Sequence, residues 1–220
     1  MKLLLTSDGI TNQSIANALF ELVEKNSSDT IIAFIPTAMN VTESDKSWFA
    51  DDLYNIKQLG LKKLDIVDIS ALSRKLWSPR LEAADVLFFS GGSSLHLMRW
   101  IKESGLKELL PEFLKTKVYA SISAGTTSAA PDLALSSKDK KQFYKEKFGY
   151  DSEEGLGLVD FYVQSHLNAP HFPHRTEENL KEFAKNFGKT IYALDRNSAL
   201  KVVDGQVEVV SEGIYLKLNE

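Results

Sequence analysis

The sequence contains no cysteine among its 220 residues. This absence excludes disulfide bonds, thiolate zinc sites, iron–sulfur clusters and cysteine nucleophiles. Covalent catalysis by this chain would therefore have to use Ser, Thr, Lys, Asp or Glu. The cytoplasm is the default location expected for such a protein, and we predict no cofactor.

Long apolar runs and blocks of basic residues are also missing. Only Leu3–Leu5 form an apolar run near the N-terminus, so we expect neither a signal peptide nor a membrane anchor there. Twenty-six Lys and Arg against 30 Asp and Glu give a net charge of −4. Nucleic acid and anionic membranes are therefore not expected partners.

The composition is that of a globular protein with a full core, since 43% of the residues are apolar and 25% are charged. Short apolar runs predict buried strands at Leu3–Thr6, Thr30–Pro36, Leu64–Ile69, Val86–Ser90 and Lys117–Ile122. Helical spacing of apolar residues predicts helices between them at Asn12–Lys25, Glu43–Leu59, Ser93–Ser104 and Leu106–Lys115. This alternation favours one α/β domain over residues 1–220, a three-layer sandwich with a mostly parallel sheet.

The C-terminal part of the chain has a different pattern. Short strands are predicted at Thr190–Ala193, Leu200–Val203, Val207–Val210 and Ile214–Leu218. Asp204-Gly205 is a strong hairpin signal, so antiparallel strands are expected near the C-terminus. Ser136–Glu154 is dense in charge and lacks core periodicity. It predicts a solvated surface excursion, with a lid over a site as the alternative.

One segment has the layout of a nucleophile elbow. The predicted strand Lys117–Ile122 runs into Ser123-Ala124-Gly125, and small residues follow where a helix should begin. A tight strand-to-helix turn of this kind presents a serine oxygen, and the next backbone N–H can stabilise an oxyanion. Ser121 replaces the usual first glycine. An ordinary turn with a capping serine is the alternative.

A second segment could complete an oxyanion hole. Val86–Ser90 is followed by Gly91-Gly92 and then by serines at a helix start. Glycines there allow backbone N–H groups to approach a ligand oxygen. No phosphate-binding glycine motif is present, so Gly92 is predicted as the second donor, with a plain tight turn as the alternative.

The predicted strand Leu158–Ser165 delivers His166 at its C-terminal end, where sites of parallel sheets lie. A histidine there can act as the general base for the serine. His166, His171 and His174 lie in a Pro-containing segment without a suitably spaced carboxylate, so no metal site is predicted. Asp195, between two late strands, could orient the histidine or simply form the turn.

These pieces together resemble the peptidase E family of serine peptidases, the aspartyl dipeptidases, with cyanophycinase as a more distant relative. The resemblance covers nearly the whole chain and rests on the following segments: Lys2–Ser7, Phe34–Ala38, Gly91-Gly92, the elbow at Ser123, Gly155–Leu158 followed by His166, and the late strand pair. It implies a fold related to class I glutamine amidotransferase domains. By position it implies Ser123 as nucleophile, His166 as base with His171 in reserve, and Gly92 and Ala124 as oxyanion donors.

The resemblance breaks down at the third triad member and at the substrate clamp. Arg196 aligns where the family often has an acidic residue, which leaves Asp195 beside it as the candidate. The family binds its acidic substrate with an arginine after the histidine, and Arg175 is the nearest candidate here, with Arg196 as another. The partner expected is a small peptide, with N-terminal Asp as the inherited preference. The sequence leaves a homodimer open.

Three functions follow from these observations. A serine peptidase acting on short peptides through an acyl-enzyme is the leading hypothesis. An α/β-hydrolase esterase requires the order Ser, acid, His, which the late position of Asp195 contradicts. A degenerate family member that binds a small ligand or partner is the remaining alternative, because Ser121, Ser93 and Arg196 depart from the family pattern.

Overall fold

A computed structural model describes residues 1–41 and 43–219. Its main sheet has seven strands in the order β3-β2-β4-β5-β1-β8-β9. The strands of this sheet are β1 (Lys2–Thr6), β2 (Ile31–Ile35), β3 (Lys63–Ile66), β4 (Val86–Phe89), β5 (Val118–Ile122), β8 (Ser198–Val203) and β9 (Gln206–Ser211). The strands β3, β2, β4, β5 and β1 are parallel, whereas β8 and β9 are antiparallel.

The parallel strands are apolar because helices cover both faces of the sheet. Every residue of β4 and β5 is buried, and two large apolar clusters lie on opposite sides of the strands. The helices are α1 (Gln13–Val23), α2 (Ser47–Gln58), α3 (Arg74–Glu82), α4 (Ser94–Glu103), α5 (Leu106–Phe113), α6 (Ala124–Ser128), α7 (Lys138–Phe148) and α8 (Glu177–Phe187). The predicted three-layer α/β fold with a mostly parallel sheet is therefore confirmed.

A second sheet of three strands carries the C-terminal part of the fold. It has the order β10-β7-β6, built from β6 (Tyr162–Ser165), β7 (Ile191–Leu194) and β10 (Tyr215–Leu218). The predicted strand 158–165 is shorter than expected, because the backbone of residues 156–159 bonds instead to the segment that ends α6. Leu156 N–H donates to the Ser128 carbonyl, and Leu158 N–H donates to the Ala129 carbonyl.

Helix α7 lies inside the segment predicted as a solvated excursion. It has little amphipathic pattern because Tyr144 is its one buried residue. The Tyr144 hydroxyl bonds to His96 Nδ1 of α4 at 2.8 Å, and this contact attaches α7 to the rest of the fold. None of the helices within the described residues is long and apolar enough to cross a membrane.

Candidate active site

The carboxyl ends of the parallel strands bring three separate segments to one edge of the main sheet, and a fourth segment joins them from the second sheet. Ser123 follows β5, Gly91-Gly92 follows β4, and Asp8 follows β1. His166 follows β6 of the second sheet, and its backbone N–H donates to Ser7 Oγ at 2.8 Å. Sites of open α/β sheets form at this edge because the connecting loops converge there.

Ser123 has the strained backbone of an elbow, with φ 44° and ψ −90°. Such a conformation is costly for a residue with a side chain, and it persists only where the surrounding packing fixes it. Gly125 supplies part of that packing, since a Cβ there would lie 2.8 Å from Phe89 Cβ and 2.9 Å from the Phe89 carbonyl oxygen. The close approach of α6 to β4 therefore needs glycine at this position.

The Ser123 hydroxyl is hydrogen-bonded to a histidine that is itself paired with a carboxylate. His166 Nε2 lies 2.8 Å from Ser123 Oγ, and His166 Nδ1 lies 2.6 Å from Asp8 Oδ1. A carboxylate on Nδ1 favours the tautomer in which Nε2 is free to accept the serine proton. Ser123, His166 and Asp8 are thus joined by hydrogen-bonding contacts in the order that a nucleophile, a base and an acid require.

The loop after β4 lies beside this serine, since a Cβ placed on Gly91 would be 3.8 Å from Ser123 Cβ. Gly92 has φ 130°, and a Cβ there would overlap the Ala38 carbonyl and lie 2.9 Å from Met39 Cα. Among the described residues, neither the Gly92 N–H nor the Ala124 N–H donates to a protein acceptor. An oxyanion hole requires two backbone N–H groups that are not already bonded within the protein, and these two meet that requirement.

An aromatic ring and a cation support the histidine from the side. The Phe172 ring is stacked on His166 with a centroid separation of 4.5 Å and an interplanar angle of 10°. The Arg175 guanidinium carbon lies 4.1 Å from the Phe172 centroid, and Arg175 Nη1 donates to the Ser165 carbonyl at 3.0 Å. Burial lowers the pKa of Arg175 to about 10, against the opposing effect of Asp8.

Asp195, the acid predicted from the sequence, does not contact the histidine. Its Oδ1 accepts hydrogen bonds from Asn197 N–H at 3.0 Å and Ser198 Oγ at 2.6 Å, and its Oδ2 accepts from Ile214 N–H at 2.7 Å. Asp195 therefore shapes a turn, which was the alternative considered, and Asp8 takes the position beside His166. Arg196 is exposed, as is the reserve histidine, His171.

Asp8 was missed because it precedes Ser123 and His166 by more than a hundred positions. Its backbone neighbour Ser7 contacts His166 across a separation of 159 residues. A usable signal was nevertheless present, since Asp8-Gly9 follows a predicted parallel strand just as Gly91-Gly92 and Ser123 do. Polar residues that directly follow parallel strands share one edge of the sheet, whatever their distance along the chain.

A second carboxyl group is buried close to Asp8. Asp52 of α2 is 9% exposed, and its Oδ2 has no hydrogen-bond partner among the described residues. Its Oδ1 would lie 3.4 Å from a Cβ placed on Gly9. Burial, and then repulsion from Asp8 and Asp51, raise the pKa of Asp52 to about 8. The group is therefore a neutral acid at pH 7.

Asp52→Asn is expected to stabilise the protein increasingly as the pH rises. The folded state holds a proton on Asp52 up to about pH 8, whereas the unfolded chain releases it near 3.8. Wild-type stability therefore falls between these values by up to about 1.4 kcal/mol per pH unit from this group. The Asp52→Asn variant does not lose stability in this way, because its amide does not titrate. Urea unfolding at pH 5 and pH 8 measures it, and an equal stability difference at both values would contradict the assignment.

The comparisons with known proteins agree with one another. The family model described as peptidase family S51 matches residues 3–210. An uncharacterised peptidase of Listeria innocua is 27% identical over 191 residues, which are 86% of this chain and 88% of the relative. A protein named peptidase E from Streptomyces coelicolor is 28% identical over 182 residues, covering 79% of this chain and 72% of the relative.

Solved structures show the same fold. A Listeria monocytogenes protein described as a candidate peptidase E superposes with a TM-score of 0.78 at 24% identity, over 96% of this chain and 98% of that chain. A peptidase from an acI-B1 Actinobacterium has a TM-score of 0.61 at 18% identity, over 99% and 93% of the two chains. With the family model extending over nearly all of the residues that build this site, the chain belongs to peptidase family S51.

Proposed function

We propose that the protein is a serine peptidase that hydrolyses short peptides through an acyl-enzyme on Ser123. The observation that carries the proposal is the continuous contact from Ser123 Oγ to His166 Nε2 and from His166 Nδ1 to Asp8 Oδ1. Membership of peptidase family S51 supports a peptidase rather than an esterase. The paired third acid gives no support to the alternative of a degenerate binding protein.

The reaction would begin with attack of Ser123 Oγ on the substrate carbonyl carbon. His166 Nε2 accepts the hydroxyl proton, and the negative charge of Asp8 stabilises the imidazolium that forms. The N–H groups of Gly92 and Ala124 donate to the oxyanion of the tetrahedral intermediate. His166 then protonates the leaving amine, and the C–N bond breaks to leave an ester on Ser123.

Deacylation would repeat these steps with water as the nucleophile. His166 removes a proton from the water, hydroxide adds to the ester carbonyl, and the proton returns to Ser123 Oγ as the acid product departs. No step needs a metal ion or an organic cofactor. Dipeptides with N-terminal Asp are the first substrates to examine, because peptidase E relatives share the family.

A covalent probe tests the nucleophile without knowledge of the substrate. We expect a fluorophosphonate to label the folded protein once, on the peptide that contains Ser123, because this is the one serine or threonine hydroxyl among the described residues that bonds to a histidine ring. Intact-mass and peptide mass spectrometry identify the site. Urea-unfolded protein is the control and should remain unlabelled. Labelling of another residue, or equal labelling of the unfolded chain, would contradict the proposal.

A further inference from the structure

The histidine of the site comes from a different sheet than its two partners. Ser123 and Asp8 follow β5 and β1, which are neighbouring strands of the main sheet, whereas His166 follows β6 of the second sheet. The pairing of β1 with β5 extends to Thr6 and Ile122, so the acid and the nucleophile share one frame. The position of the histidine ring between them therefore depends on contacts that join the two sheets.

Ser7 makes one such contact with its side chain. The His166 backbone N–H donates to Ser7 Oγ at 2.8 Å, and Ser7 is fully buried. The Ser7 backbone is held in turn by the main sheet, since its N–H donates to the Ser198 carbonyl at 3.3 Å. The end of β1 therefore contacts His166 twice, at the main chain through Ser7 and at the ring through Asp8.

The main-chain contact falls on a residue with an unfavourable backbone. His166 has φ 63°, in the left-handed region that residues with a Cβ seldom occupy, and such a conformation persists only where neighbouring contacts fix it. The next residue is fixed by the second sheet, because Leu167 N–H donates to the Leu194 carbonyl at 2.9 Å. Ser7 supplies the acceptor for His166 itself. Without that acceptor, the His166 backbone could relax and carry the ring away from Ser123.

The end of β1 is itself fixed to the nucleophile elbow by a buried polar network. Thr6 Oγ1 donates to the Ser121 carbonyl at 2.7 Å and accepts from Gly9 N–H at 2.8 Å. The Thr6 carbonyl accepts from Ser123 N–H at 3.2 Å and from Thr126 Oγ1 at 2.7 Å. Ser121, which replaces the usual glycine, joins this network because its Oγ lies 2.9 Å from Thr126 Oγ1. A contact from this strand end to the histidine is therefore a contact from the elbow.

We propose that Ser7 is a positioning residue of the proposed peptidase. Its hydroxyl oxygen holds the His166 main chain in the left-handed conformation, in which Nε2 reaches Ser123 Oγ and Nδ1 reaches Asp8. This inference rests on the proposed function, since it concerns the base of that reaction. Ser7 transfers no proton and contacts no reacting atom, so its loss slows proton transfer and leaves substrate binding nearly unchanged.

The test removes the hydroxyl with Ser7→Ala and measures both the reaction and the contact. We expect kcat to fall by roughly 10- to 100-fold, with KM within about threefold of wild type. The rate of fluorophosphonate labelling should fall by a similar factor, because labelling also requires His166 to accept the Ser123 proton. Hydrogen exchange of the His166 amide, followed by NMR, should become faster, because that N–H has lost its acceptor.

Ser165→Ala is the matched control. Ser165 directly precedes His166, and its Oγ is buried without a hydrogen-bond partner among the described residues. This variant should exchange the His166 amide and react with the fluorophosphonate at rates within a few-fold of wild type. Ser7→Thr keeps a hydroxyl beside the same amide. Across all three variants, slow labelling should accompany fast exchange of the His166 amide, and urea unfolding verifies that each variant is folded.

The outcomes separate the two proposals. Wild-type kcat and labelling in Ser7→Ala, an unchanged exchange rate of the His166 amide, or an equal loss of rate in Ser165→Ala would each overturn the role of Ser7 while leaving the peptidase intact. Absence of labelling and of Ser123-dependent hydrolysis in the wild-type protein would overturn the proposed function itself.

Discussion

Ser123→Ala is expected to lower kcat/KM for peptide hydrolysis by roughly 10⁴- to 10⁶-fold. Without the hydroxyl, no acyl-enzyme forms, and the remaining rate comes from the oxyanion donors and from substrate binding. The strained backbone at φ 44° changes little, because alanine also carries a Cβ. Initial rates of the two purified proteins, measured on the peptide that wild type hydrolyses fastest, give the ratio of their kcat/KM values directly.

A matched serine variant controls for the loss of a buried hydroxyl in this region. Ser90 lies between β4 and Gly91, and its Oγ is buried without a hydrogen-bond partner among the described residues. Ser90→Ala should therefore keep its activity within a few-fold and unfold at a similar urea concentration. Retention of full activity in Ser123→Ala would show that another group is the nucleophile.

Asp8→Asn is expected to reduce kcat by about 10⁴-fold at neutral pH with a much smaller effect on KM. The amide NH₂ of asparagine would face His166 Nδ1 and favour the tautomer with the proton on Nε2. In that tautomer Nε2 donates to Ser123 Oγ and cannot accept its proton. Steady-state kinetics across pH 5 to 9 measure the loss, and the folded state should persist by urea unfolding.

Asp195→Asn is the contrasting variant at the acid predicted from the sequence. Its carboxylate accepts hydrogen bonds from Asn197 N–H, Ser198 Oγ and Ile214 N–H, and none from His166. We expect kcat within a few-fold of wild type and a loss of stability of about 1–3 kcal/mol. The reverse pattern, with activity lost in Asp195→Asn and kept in Asp8→Asn, would return the third role to Asp195.

The sheet was predictable because its signals are local. Strands such as β4 and β5 are short, wholly apolar and buried on both faces, so each is recognisable without knowledge of its neighbours. The helix α7 was not predictable from local signals, because Tyr144 is its one buried residue and the rest of the helix is largely polar. Tertiary contact with His96, rather than amphipathic spacing, holds this helix in place.

The residues of the site likewise differ in whether the local sequence predicts them. Ser123, Gly92 and His166 each follow a recognisable strand, and their neighbours in sequence indicate what they do. Asp8 also follows a recognisable strand, but its neighbours in sequence do not indicate that it pairs with a histidine from another segment. The pairing of Asp8 with His166 depends on the order of the strands in the folded sheet.

The central position of β1 in the main sheet determines when the nascent chain can fold during translation. This strand pairs with residues 118–122 on one side and residues 199–203 on the other. During translation it emerges well before both neighbours, so its pairing waits for the closure of long loops. Asp8 and Ser123 can meet His166 only after β5 and β6 have also emerged. The contacts among Asp8, Ser123 and His166 therefore form late in the synthesis of the chain.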